Sequence, residues 1–134
     1  MQTITGTFDV TRTAEPPYDT APGATLARSR VDKRFHGDLE ATGHVEMLSA
    51  MTEVAGSAGY VAIERVSGSL GGRVGSFVLQ HSGTMNRGVS TLSVTVVPDS
   101  GAGALVGLSG AMTIDVVDGQ HRYTFAFELP DTSA

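Results

Sequence analysis

The apolar residues of this chain recur at every second position, and no stretch carries a sustained three-to-four spacing. In Ile4-Thr5-Gly6-Thr7-Phe8-Asp9-Val10-Thr11-Arg12, residues Ile4, Phe8 and Val10 share one parity while Thr5, Thr7, Asp9 and Thr11 take the other. Period two belongs to a pleated strand with one face buried, and Gly6 inside it predicts a bend or bulge. Residues 14–23 hold three of the five prolines and read as a loop. Residues 24–39 form a long alternating segment. Ala27, Ser29, Val31, Lys33 and Phe35 fall on one face, and mostly charged residues fall on the other.

The rest of the chain repeats this grammar. Residues 45–55 read as a strand, although Glu46-Met47-Leu48-Ser49-Ala50-Met51 has fair helix propensity in a short span between glycines. Residues 58–70 and 74–83 are strands joined by Gly71-Gly72, followed by a turn at 84–88. Residues 91–97 alternate up to Pro98, and 99–103 turn the chain. Residues 105–117 and 121–129 flank Asp118-Gly119, a pair suited to the positive φ angles of a type I′ hairpin. About eight strands joined by short turns, with no helix for parallel crossovers, predict an all-β antiparallel meander. An eight-stranded up-and-down barrel satisfies the pattern by removing free edges, and a two-sheet sandwich satisfies the periodicity as well. Gly6, Gly68, Gly75, Gly107 and Gly110 lie within strand segments, as a strongly coiled barrel requires.

Composition bounds the function. At 134 residues the chain is expected to form one domain, 1–134, with a core able to hold it together. Nine Lys and Arg against fourteen Asp and Glu give a net charge of −5, a poor match for nucleic acid or an anionic membrane. Absence of cysteine excludes disulfides, thiolate nucleophiles and thiolate metal sites. Neither a basic, apolar leader nor an 18-residue apolar run is present, so the expectation is a cytoplasmic protein.

Several stretches taken together carry a resemblance: Val31-Asp32-Lys33-Arg34-Phe35-His36-Gly37-Asp38-Leu39-Glu40, residues 56–68, Gly75-Ser76-Phe77-Val78-Leu79-Gln80-His81-Ser82-Gly83-Thr84-Met85 and residues 92–101. They resemble a bacterial domain family of unknown function, over about residues 5–130. The resemblance implies an eight-stranded antiparallel barrel similar to allene oxide cyclase and dirigent proteins. It also implies association into homo-oligomers through outer faces, where exposed Val61 and Ile63 would contribute. It supplies no reaction, and no catalytic residues of the plant cyclase are carried across.

In such a barrel, function sits where a few polar groups converge in an apolar lumen. Glu64 shares a face with Tyr60, Ala62 and Val66, and His81 shares one with Phe77 and Leu79. A glutamate and a histidine on neighbouring strands could form an acid–base pair. They could also form a cross-strand hydrogen bond or an exterior salt bridge, the commoner arrangement, and a register shift of one residue would reverse either face. Lys33, on the parity of Val31 and Phe35, is an inward amine that could anchor a carboxylate, act as base or act as Schiff-base nucleophile, or snorkel to the rim. Lys33, Glu64 and His81 are therefore the candidate catalytic residues, with Glu46, Tyr60, Phe77 and Gln80 as candidate ligand-binding residues. His44 with Glu46, and His36 with Asp38, give only two-residue ligand spacings, so no metal and no cofactor are expected. Met47, Met51, Met85 and Met112, with Phe125 and Phe127, read as core and lumen lining. The expected partner is a small, largely apolar molecule. The expected role is that of a cofactor-independent isomerase or cyclase, a non-catalytic carrier, or a barrel filled by its own side chains.

Overall fold

The computed structural model describes residues 1–130. Nine strands follow one another: β1 (Gln2–Ala14), β2 (Ala24–Gly37), β3 (Leu39–Thr52), β4 (Ala58–Leu70), β5 (Arg73–Asn86), β6 (Val89–Val96), β7 (Ala102–Gly103), β8 (Ser109–Val117) and β9 (Gln120–Glu128). Every pairing is antiparallel, and β1 to β6, β8 and β9 run round a closed eight-stranded barrel. The seam closes between β1 and β9, in register from Gln2↔Phe127 to Phe8↔His121. That continuous ladder decides for the barrel over the sandwich. The ninth strand, β7, is an appendage on β5 through Gly75↔Gly103 and Ser76↔Ala102. Among the described residues, no helix is long and apolar enough to cross a membrane.

Several predicted boundaries move. The segment read as one strand over 24–39 turns sharply at Gly37, with φ 115°, and β3 begins at Leu39, so it is longer than residues 45–55. Helix propensity at 46–51 yields to the ladders on both sides of β3. The turn expected at 84–88 shrinks to Arg87-Gly88, and residues 104–108 turn the chain where a strand was expected, taking Gly107 out of any strand. Asp118 and Gly119 do adopt the positive φ angles of the predicted hairpin turn, 51° and 77°. Gly6 is not a bulge, since it pairs in register with Gly37 and Tyr123. A side chain there would collide with the Tyr123 hydroxyl and the His36 carbonyl.

One end of the barrel is solid. Phe8, Phe35 and Tyr123 form an aromatic chain with ring centroids 5.4 and 5.7 Å apart, and Phe77, Phe125 and Phe127 form a second, at 5.7 and 5.1 Å. Leu39, Leu70, Leu79, Leu105 and Leu108 fill the space between them. The Tyr123 hydroxyl accepts from Leu39 N at 3.3 Å and donates to the His36 carbonyl at 3.0 Å. Toward the other end, inward positions carry Val10, Val31, Met47, Ser49, Gly59, Gly83 and Ser90. These side chains are too small or too peripheral to meet across the axis, and the barrel is hollow there. On that side β6 and β8 are joined only at Val94↔Met112 and Thr95↔Ala111, while their remaining residues part toward the mouth.

Candidate functional site

The hollow end is a cup of about 680 Å³. Its walls are largely apolar, with Val10, Val31, Val45, Met47, Ala62 and Ile114 prominent, and its floor is set by Phe8, Lys33 and His81. Alternation along β2 turns Lys33 inward together with Val31 and Phe35. Its ammonium stands 4.8 Å above the Phe8 ring centroid and 3.1 Å from Glu64 Oε1. His81 Nε2 lies 2.8 Å from the same oxygen. Side-chain exposures of 8% for Lys33, 0% for Glu64 and 5% for His81 put the whole cluster out of bulk water.

The register explains how three strands deliver these groups to one point. Lys33 on β2 stands opposite Gly43 on β3, and Gly43 stands opposite Val66 on β4. Because Gly43 has no side chain, Lys33 reaches across β3 to the carboxylate arriving from β4. A Cβ at Gly43 would meet Glu64 Oε2 and come within 3.0 Å of Phe35 Cε2. On β5, His81 is opposite Ala62, one inward position from Glu64, so the two side chains meet along the diagonal.

Burial alone would raise the pKa of Glu64. The hydrogen bond from His81 and the charge of Lys33 outweigh it and hold the carboxyl below its ordinary range. Glu64 is thus an anion at neutral pH, and Nε2 of His81 carries the proton donated to it. Among the described residues Glu64 Oε2 is buried without a hydrogen-bond partner, and Glu64 itself does not line the cup. Of the three, Lys33 and His81 line the cup, and Glu64 holds both of them from behind. With Nε2 committed to Glu64, Nδ1 is the ring nitrogen of His81 not engaged by that carboxylate.

Tyr60 lines the wall beside the floor, its ring packed where a side chain at Gly83 would otherwise stand. Burial pushes its phenol pKa up, so it is present as a neutral hydroxyl. The remaining three candidates lie elsewhere. Gln80 is exposed on the outer wall, because it has the opposite parity to His81. Phe77 is buried in the solid end against Phe125, away from the cup. Glu46 is also outward, pairing with Arg28 and accepting from His44 Nε2 at 2.7 Å. No group of three metal-ligating side chains converges among the described residues. Val61 and Ile63 are exposed on the outside as expected of their parity.

Four contributors were not singled out from sequence. Arg12 continues the inward parity of Phe8 and Val10 to the mouth of the cup, and His121 continues that of Tyr123 and Phe125, its ring centroid 5.0 Å from that of Phe8. Parity alone could have identified both. Gly43 and Gly83 matter through the space that they leave, which becomes visible only once the strands are in register.

A family model described as "Protein of unknown function (DUF3224)" matches residues 4–127. The chain is similar to the crystal structure of a protein of unknown function from that family from Shewanella oneidensis MR-1. The TM-score is 0.92 and the identity 53%, over 98% of this chain and 99% of the other. No curated protein matches.

Proposed function

The chain belongs to the DUF3224 family, and from its cup we propose that it binds a small, largely apolar metabolite and isomerises it by proton transfer without a cofactor. The observation that carries this reading is the floor of the cup, where one buried carboxylate oxygen of Glu64 holds both His81 and Lys33, at 2.8 and 3.1 Å. His81 Nδ1 takes a proton from a carbon next to a carbonyl group. The electron pair of that C–H bond forms a carbon–carbon double bond as the carbonyl π pair moves to the oxygen, where the Lys33 ammonium meets the developing negative charge. Glu64 fixes the ring orientation of His81 and stabilises the imidazolium. Return of the proton to a different carbon gives a positional isomer. Attack of the enolate carbon on a second carbonyl carbon of the same molecule breaks that C=O π bond and sends its electron pair to the oxygen. The His81 imidazolium returns the proton there, and a ring results. Apolar walls exclude water from the reacting atoms, Tyr60 orients the guest, and a positioned base of this kind contributes roughly 10²–10⁴-fold.

A second reading, a carrier that releases its guest unchanged, is favoured by Lys33 and His81 each having a hydrogen-bond partner in Glu64, as a cross-strand structural cluster would. Proton exchange separates the two. The protein is incubated in D₂O with a panel of apolar cyclic and open-chain enones, and deuterium at the carbons flanking the carbonyl is followed by NMR. Catalysed exchange that is lost in His81→Ala is the expected result. Binding of the enones with no exchange above that variant overturns the enzymatic reading in favour of the carrier.

A further inference from the structure

Charge on the cup wall is one-sided. The protein as a whole has five more acidic than basic residues, yet among the described residues the side chains lining the cup include Arg12, Lys33, His81 and His121 and neither Asp nor Glu. The two cations are not equivalent. Lys33 is neutralised on the floor by Glu64, whereas Arg12 forms no ion pair among the described residues. The neighbouring acid Glu15 is engaged by Arg30, whose parity is that of the outer wall. Arg12 stands four residues beyond Phe8 on β1. At about 3.3 Å per residue that places it roughly 13 Å from Phe8 along the strand, or about 10 Å above the floor for a strand tilted about 40° from the barrel axis, with apolar wall between.

From this we infer the chemical class of the guest: an amphipathic monoanion whose carboxylate is held at the mouth by Arg12, while its apolar body reaches down to His81. The inference rests on the guest-binding reading above and adds to it a polarity and a direction of entry. A guanidinium at the mouth takes a carboxylate by two parallel hydrogen bonds, and the flexible arm keeps the head near water while the body is desolvated. A second anionic group on the guest would meet a floor whose positive charge is already matched, so one head group is favoured.

Displacement of the apolar dye Nile red from the cup tests this, with decanoate and decan-1-ol as competitors of equal chain length. Decanoate is expected to compete at least about tenfold more strongly than the alcohol, a preference of about 1.4 kcal/mol. In Arg12→Gln the preference falls to less than twofold with alcohol binding unchanged, and Arg12→Lys restores part of it. Raising the salt concentration shrinks the preference in the wild type, as a partly exposed charge pair requires. Equal competition by acid and alcohol, both blocked by Val10→Trp on the wall, overturns the anion assignment and leaves the guest-binding reading standing. A preference for decanoate that survives Arg12→Gln overturns the role of Arg12. Failure of both competitors and of the dye to bind overturns both readings.

Discussion

His81 Nε2 and Glu64 Oε1 are 2.8 Å apart although their residues are not opposite each other in the ladder, Glu64 facing Leu79 and His81 facing Ala62. The diagonal leaves room on the same oxygen for Lys33, which arrives from two strands away. A buried anion with two donors, one of them a cation, can be perturbed from each side separately.

Removing the charge of Glu64 leaves the Lys33 ammonium buried without a counter-ion. Glu64→Gln is expected to cost about 3–5 kcal/mol in urea unfolding, the usual penalty for stripping one partner from a buried pair. Lys33→Met combined with Glu64→Gln is expected to recover most of that loss. A loss in the double variant equal to the sum of the two single losses would show that the pair is not coupled.

Acid should act through the same group. The folded-state pKa of Glu64 lies below the unfolded one, so its contribution to stability is complete above the unfolded value of about 4.3. That contribution is lost as the pH falls below it toward the folded value. The difference in unfolding free energy between wild type and Glu64→Gln is therefore expected to shrink as the pH falls below about 4. Urea titrations at several pH values measure it, and a difference that grows on acidification contradicts the assignment.

Gly43→Ala tests the space that Lys33 and Glu64 share. The added methyl would meet Glu64 Oε2, displacing the carboxylate and lengthening its bond to His81. The expected cost is about 1–3 kcal/mol, typical of overpacking. A change in the imidazole proton and nitrogen NMR signals of His81 distinguishes this from a general loss of packing. Unchanged His81 signals in a folded variant would mean that Gly43 does not set the dyad.

Tyr123→Phe deletes the hydroxyl that bridges Leu39 N and the His36 carbonyl at the solid end. One buried and one part-buried backbone group lose a partner, so a loss of about 1–2 kcal/mol and a Tm lower by roughly 3–8 °C are expected by calorimetry. Dye binding in the cup at the other end should be unaffected, which separates the two halves of the barrel.

Much of this architecture was legible in the alternation. Parity turned Lys33 inward with Phe35 and set Glu64 and His81 each on one face of its strand, with Val61 and Ile63 on the face opposite Glu64. Which of those faces points inward became visible only with the strands in register, because a shift of one residue reverses either face. The same rule applied to the end would have put Gln80 and Glu46 outside, since each is one residue from an inward neighbour. Phe77 failed for another reason: parity says in or out but not how far along the axis a residue sits. Depth depends on the stagger of all eight strands, and that stagger places Phe77 in the filled end and Tyr60 in the hollow one. Gly43 shows the remaining limit, for its contribution is a vacancy between partners 31 residues apart in sequence.

The junction of β6 with β8 gives the barrel wall an unequal resistance to opening. Most neighbouring strands are held by long ladders, whereas these two share only Val94↔Met112 and Thr95↔Ala111. Local fluctuations follow the least-bonded path, so the wall parts there long before the molecule unfolds. In native-state hydrogen exchange, the amides of Val94 and Met112 are expected to exchange well before those of Val45 and Glu64 in the long β3–β4 ladder. Such opening runs from the mouth of the cup down its side, past Leu92 and Ile114. A guest longer than the cup is deep could thread its tail through that gap, so chain length need not be limited by the enclosed volume.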